Sequence, residues 1–348
     1  MNILEIAGLD ERVPPQKYGG AELVISAITE RLVKKGHDVT LLATGNSQTK
    51  AKLVPILPEP IRELHPTDTE QWQQYLKVII VPDILKAIRD TRPDIIHNHI
   101  SWRMIVLEKI LPCPMVSTIH GPITSFNDRQ TFGRFPNHRY VSISNNQRKA
   151  MPEIRWLSTI YNGIDVSSFT YTEKKDDYFA FLGRISPEKG LKEICLLIKK
   201  TKHKLKIAAK IDYTDVAFYK KEIMPLIDGE QIEFVGEVDH HGKNKLLRNA
   251  RALLLWLNWE EPFGLVVIEA NACGTPVIVN RRGAMMELIE HGKNGILVDT
   301  LLEMKNALEH VHKISTNACR TYVEKRFSAD IMTDRYEELF KTIIKDDD

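Results

Sequence analysis

The chain has 348 residues, more than one hydrophobic core ordinarily supports, so two domains of roughly 150 to 180 residues each are expected. Hydrophobic residues make up 43% and charged residues 27%, an ordinary globular balance, and the net charge of +2 gives no support for a polybasic face that would draw nucleic acid or an anionic membrane. Cys113, Cys195, Cys273 and Cys319 lie far apart without paired metal spacing, so reduced thiols in a cytoplasmic protein are expected; no basic leader precedes the first strand and no apolar run is long enough to span a bilayer.

In chain order, Asn2–Gly8 reads as a buried strand. The loop from Val13 to Glu22 carries Pro14-Pro15, Tyr18 and Gly19-Gly20; its glycines either let the backbone approach a ligand at a helix start or form a plain loop. The spacing then predicts a helix over Ala21–Lys35, with Leu23, Val24, Ala27, Ile28, Leu32 and Val33 on one face and Gly36 as its stop. Asp38–Ala43 reads as a second strand, and Asp94–His97, Met115–His120 and Tyr140–Ser144 as short β-branched runs of the kind central parallel strands use. A polar stretch near Thr170–Asp177 interrupts this pattern. It resumes with Tyr178–Gly183, Lys204–Ala209, Ile232–Val235, Ala252–Leu257, Pro276–Val279 and Gly295–Val298, and Ala318–Lys345 predicts one long closing helix. Two strand–helix series separated by a polar linker predict two doubly wound α/β domains, with ligands bound beyond the carboxyl ends of the strands.

Chemistry concentrates in four places. In EEPFGLVVIEANACGTPVIV, residues 260–279, Glu261 and Glu269 flank the turn Pro262-Phe263-Gly264. Proline is favoured just inside a helix start, so an amphipathic helix is expected there, its positive end presenting the amides of Phe263, Gly264 and Leu265. A phosphate suits those amides and hydroxyls suit the carboxylates; taken singly, either glutamate also reads as a cap or a solvated face. In Phe181–Gly190 a strand runs into Gly183-Arg184, and Lys189 follows near a helix start. A guanidinium fork and a flexible ammonium so placed suit a diphosphate, and no Asp-x-Asp pair stands at a strand end to hold a divalent metal. Histidines close two strands of the first half, His97 and His99 on one, His120 before Gly121-Pro122 on another. His97 and His99 share a face, but no supporting carboxylate is obvious, so no zinc centre is expected. Gly121–Arg139 mixes Phe126, Phe132 and Phe135 with Arg129, Arg134 and Arg139, either a loop for an aromatic or acidic ligand or an ordinary amphipathic loop.

The block from Glu260 to Val279 closely resembles the signature of the family 4 retaining glycosyltransferases, in which the two glutamates, the Pro-Phe-Gly turn and the Cys-Gly-Thr-Pro exit occur together. Gly183-Arg184 with Lys189-Gly190, the loop ending in Gly19-Gly20, Tyr161–Asp165 and Phe234–Val238 resemble further motifs of that family in its order, so the resemblance spans nearly the whole chain. It implies a GT-B fold: α/β, two doubly wound Rossmann-like domains facing each other across a cleft. Residues 1–166 would form the acceptor side, 167–330 the donor side, and 331–348 a helix returning to the first domain. The implied reaction moves a hexose from a nucleoside-diphosphate sugar, UDP-linked by family frequency, to a hydroxyl acceptor with retention of configuration. Arg184 and Lys189 would neutralise the leaving diphosphate in place of a metal. Glu261 would accept from sugar hydroxyls and Glu269 from the ribose, while His120 would touch the sugar beside the reacting carbon. Gly19, Gly20, Gly183 and the amides of Phe263, Gly264 and Leu265 would line the donor, and Val235, Gly236 and Glu237 would meet the base. His99, Phe126 and Arg129 are the acceptor-side candidates. No residue is placed as a covalent nucleophile, so front-face displacement is implied, with the nucleotide sugar as co-substrate, no further cofactor and no nucleic acid partner. A sugar-nucleotide epimerase on the same fold and a non-catalytic nucleotide-sugar-binding module are the rival readings.

Overall fold

The computed structural model describes residues 1–17, 19–61, 63, 78–100 and 102–347. Two compact units divide the chain: Met1–Gly163 with Ala329–Asp348, and Ile164–Ser328. The first is built on a sheet of seven parallel strands in the order β3-β2-β1-β4-β5-β6-β7. These are β1 (Asn2–Ile6), β2 (Asp38–Thr44), β3 (Lys52–Leu57), β4 (Ile95–Asn98), β5 (Met115–Ile119), β6 (Arg139–Ser142) and β7 (Trp156–Thr159). β1, β2, β4 and β5 are buried on both faces almost throughout, which is why they read as continuous apolar runs rather than alternating ones.

The sequence reading misses β3 and β7, the two edges of this sheet. β3 contains Pro55, which argues against a central strand. Among the described residues it pairs only with β2, through a register shift between Ala43 and Thr44, and an edge is where a sheet tolerates proline. Helix α1 (Gly20–Lys34) buries Val24, Ile25, Ile28, Thr29 and Leu32, so its inner face is centred one residue beyond the predicted stripe, with Leu23 and Val33 only partly covered. Gly36 takes φ +86° just past its end, the left-handed stop that glycine supplies without strain. Among the described residues, the other helices of eight or more residues in this unit are α2 (Val81–Thr91) and α3 (Phe126–Arg134), joined at the chain end by α9 below.

The second unit carries six parallel strands in the order β10-β9-β8-β11-β12-β13. They are β8 (Phe179–Arg184), β9 (Leu205–Lys210), β10 (Ile232–Gly236), β11 (Leu253–Leu255), β12 (Val277–Asn280) and β13 (Gly295–Val298). Its longer helices are α4 (Leu191–Ile198), α5 (His240–Asn249), α6 (Leu265–Ala272), α7 (Leu301–His310) and α8 (Thr316–Arg326). The single closing helix expected over Ala318–Lys345 is two helices, α8 and α9 (Ala329–Asp347). The break falls at Phe327-Ser328, where the Ile164 amide donates to the Phe327 carbonyl at 3.0 Å and Ile164 pairs with Ser328. A tertiary pairing overrides helix propensity there. α9 then packs on α1, with Lys35 bridging Asp334 and Glu337 at 2.7 Å each.

In both sheets the first strand lies inside, two strands grow to one side and the chain then crosses back. The strand order therefore reverses between β1 and β4 and between β8 and β11. In open parallel sheets such a switch point leaves a crevice at the carboxyl ends of the two central strands, where ligands bind.

Candidate functional sites at the two switch points

In the second unit, β8 ends on Gly183-Arg184 at the switch point. The chain then makes a single 3-10 turn, Pro187–Lys189, and Gly190 caps α4 with φ +63°. A Cβ at Gly190 would collide with the Trp256 carbonyl, so only glycine lets the turn lie against the chain leaving β11. Asn258 pins the same turn, its amide donating to the Glu188 carbonyl at 2.8 Å and its side chain to Pro187 O at 3.0 Å. Lys189 is thereby placed 4.7 Å over the Trp259 ring and in an ion pair with Glu261. Arg184 pairs with Glu188 and lies 3.6 Å from Asp215. Burial raises the Asp215 carboxyl, and Arg184 opposes that shift.

The turn before α6 differs from its sequence reading. The helix begins at Leu265, not at Pro262, because Gly264 takes φ +96° as its cap. No side chain caps this start, and the first amides of any α-helix lack intrahelical acceptors. α6 is not amphipathic either: Val267, Ile268, Glu269, Ala270, Asn271 and Ala272 are all buried. Phe263 is buried too, its ring 6.1 Å from that of Phe327, so only its backbone is offered to a ligand. Glu269 is ion-paired with Lys243 of α5. Val235 and Gly236 close β10, two strands from β8, with Val235 and Glu237 exposed and Gly236 at φ +84°.

In the first unit the switch point holds a chain of buried polar groups. Register places Glu5 of β1 beside His97 of β4, and His99, two residues on, follows on that face. The Glu5 carboxylate meets His97 Nδ1 at 3.0 Å and His99 Nε2 at 2.8 Å. His99 Nδ1 lies 2.8 Å from His120 Nε2, and His97 Nε2 lies 2.8 Å from Thr118 Oγ1, itself 2.9 Å from the Tyr336 hydroxyl. Glu5 is thus the carboxylate that the sequence reading did not find beside the histidines. The ligand-type atoms of Glu5, His97 and His99 lie within 4.8 Å of one another, but the carboxylate meets each histidine at an ordinary hydrogen-bond distance. Burial pushes the Glu5 carboxyl up, but the His97 charge and the hydrogen bonds from His97 and His99 outweigh it and bring it to about 2. Burial, with His97 nearby, takes His99 down to about 4 and His120 well below its usual value.

His120 lines a cavity of about 420 Å³ with Arg103, Ser125, Asn127 and Asp128; His99 borders it, but its side chain is fully buried and both ring nitrogens are engaged, so it is not free to meet an acceptor. Phe126 and Arg129 do not line the cavity. The predicted loop over Gly121–Arg139 contains α3, capped by Ser125 accepting from the Asp128 amide. On that helix Phe132 turns into the core, Phe126 is exposed, and Arg129 donates to the Ala150 carbonyl at 3.1 Å. Gly19 is held against Pro15, where a Cβ would sit 2.6 Å from the proline Cβ, and Gly20 opens α1. Tyr18 lies outside the described residues.

With both switch points built, the sequence matches are specific. The family model for Glycosyltransferase Family 4 matches residues 18–168, and that for Glycosyl transferases group 1 matches residues 166–327. The chain belongs to the family 4 glycosyltransferases. It is similar to an uncharacterized 42.6 kDa protein in the cps region of Klebsiella pneumoniae, 24% identical over 375 aligned residues covering 94% of this chain and 97% of that protein. It is also similar to the N-acetyl-alpha-D-glucosaminyl L-malate synthase of Bacillus anthracis, 23% identical with 94% and 95% covered. Among solved structures, Anabaena HepE in complex with UDP and glucose superposes with a TM-score of 0.78 over 98% of this chain and 100% of that one, at 17% identity. That likeness, with the two parallel sheets, establishes a GT-B fold for this glycosyltransferase. Two residues at its switch points escape sequence reasoning, Glu5 and Lys243. The signal for Glu5 was a lone carboxylate inside an apolar strand; Lys243 gave none, because its partner Glu269 is 26 residues away on another helix.

Proposed function

We propose that this glycosyltransferase moves a hexose from a nucleoside-diphosphate sugar to a hydroxyl acceptor with retention of configuration and without a metal. The observation that carries this reading is the group at the β8–β11 switch point: Arg184 and Lys189 at one strand end, Glu261 and the uncapped start of α6 beyond the other. Two cations and a positive helix end supply the charge that a departing diphosphate requires. Glu261 and Glu269 then accept from sugar and ribose hydroxyls. β10 lies two strand spacings from β8, roughly 10 Å, a span that suits a base at Val235–Glu237 and a diphosphate at Arg184. His120 accepts from a sugar hydroxyl, and the cavity beside it serves the acceptor. No carboxylate is assigned as nucleophile, so the departing phosphate oxygen takes the acceptor's proton on the same face as the sugar leaves. UDP is the favoured nucleotide, supported by the UDP bound to HepE, and reduced buried thiols at Cys195, Cys273 and Cys319 suit a cytoplasmic location.

The test is a thermal-shift screen against UDP, GDP, ADP and dTDP, free and sugar-linked, with and without EDTA. Ligand at a hundred times its Kd stabilises by about 2.7 kcal/mol. A shift with one nucleotide that survives EDTA supports the metal-free clamp, and a shift abolished by EDTA overturns it. Conversion of the donor alone into another nucleotide sugar would instead identify an epimerase.

A further inference from the structure

We propose that Glu5 is a positioning residue that acts through His99 to fix the proton of His120 on Nε2, so that His120 meets a substrate hydroxyl with an unprotonated Nδ1. An ionised carboxylate can only accept, so the 2.8 Å contact between Glu5 and His99 Nε2 puts a proton on that nitrogen. His99 is neutral near pH 7, since burial carries its titration to about 4, which leaves its Nδ1 bare. The 2.8 Å separation between this Nδ1 and His120 Nε2 then requires the proton on His120. A second proton on His120 is opposed by its burial and by His99 and His97 beside it. The direction of each hydrogen bond follows from one buried carboxylate, and the outer nitrogen of His120 becomes an acceptor by default. The assignment of a substrate hydroxyl to that nitrogen rests on the proposed function; the tautomer does not.

The experiment uses the full chain labelled with 15N-histidine, observed by long-range 1H–15N NMR at pH 7.5 without substrate, with His120 assigned from a His120→Gln sample. The expected result is Nε2–H and a bare Nδ1 on His120, with Nε2–H on His99. Protonation of His120 on Nδ1 overturns the proposal whatever the enzyme transfers, as does stoichiometric zinc in the purified protein that moves the His97 and His99 signals when chelated. In Glu5→Gln the amide can donate to His99, so a fraction of His120 should shift its proton to Nδ1. Turnover at saturating donor should fall about 10- to 100-fold, the scale at which partners orienting metal-bound histidines act, while the Kd for the free nucleoside diphosphate stays unchanged. An unchanged kcat with the altered tautomer, or an equal loss of nucleotide affinity, overturns the positioning role. If the variant does not fold, the tautomer of the wild-type chain still decides.

Discussion

Lys189 and Glu261 hold each other across 72 residues of chain, the ammonium from the turn after β8 on the carboxylate before α6. Both side chains are largely buried, 20% and 12% exposed, so the pair keeps a cation in place at a strand end. Under the proposed function, a diphosphate entering there would compete with Glu261 for Lys189 and release Glu261 toward hydroxyls. Lys189→Ala should therefore lower kcat/KM by about 10²–10³-fold, the scale of removing one preorganised charge from a developing anion. Steady-state kinetics with a nucleotide sugar, alongside an unchanged circular dichroism spectrum, checks this; unaltered turnover would remove Lys189 from the clamp.

Arg184 carries the companion expectation. Its guanidinium is engaged by Glu188 and faces Asp215, so it is oriented before any ligand arrives. Arg184→Lys keeps the charge but loses the planar fork. It should restore only part of the activity lost in Arg184→Ala; equal rates for the two variants would show that the fork, not the charge, decides, and a wild-type rate in Arg184→Lys that charge alone suffices.

How far the site was legible follows from how far apart its parts lie in sequence. Arg184 and Lys189 stand five residues apart around a turn, and Glu261, Gly264 and Glu269 share one short block, so local spacing announced them. Glu5 and Lys243 act on residues brought close only by strand register or helix packing, at separations of 92, 94 and 26 residues. In the fold, buried strands announced themselves as apolar runs, whereas edge strands such as β3, with Pro55, did not. Glycine at φ +96° delayed the start of α6 by three residues from the proline that marks a helix start in the sequence.

Gly190 should be the least replaceable glycine of the second unit. It combines φ +63° with a Cβ position occupied by the Trp256 carbonyl. The left-handed conformation alone costs a non-glycine residue about 1–2 kcal/mol, and the collision forces the turn away from β11. Gly190→Ala should lower the urea midpoint and impair turnover together, because Lys189 moves with the turn. Wild-type stability in that variant would mean that the turn relaxes freely.

The buried Glu5–His99 pair sets a pH dependence with a definite sign. His99 titrates near 4 in the folded protein against an ordinary 6.5 for a histidine in the unfolded chain, so the unfolded chain binds its proton first. Stability from this group is complete above about 6.5 and is lost as pH falls toward 4. Glu5 acts lower: its carboxyl is depressed from 4.5 to about 2, so its contribution is present above 4.5 and is lost as pH falls from there toward 2. Urea midpoints should therefore drop between pH 7 and pH 5, and His99→Gln should flatten that drop. An equal slope in both proteins would place the titration elsewhere.

Lys243 and Glu269 offer the sharpest separation of structure from binding. Glu269 is 4% exposed, and Lys243 also lies 5.6 Å over the Phe169 ring. Removing one partner of a buried pair leaves a charge uncompensated and typically costs about 3–5 kcal/mol, whereas neutralising both can be nearly harmless. Lys243→Met should lower Tm markedly, and Lys243→Met with Glu269→Gln should recover most of that loss. If Glu269 accepts from a ribose, the double variant regains stability without regaining nucleotide affinity, because the amide is a weaker acceptor than the carboxylate. Calorimetric titration of the nucleoside diphosphate into the folded double variant reads the two effects apart; recovery of both together would confine Glu269 to a structural role.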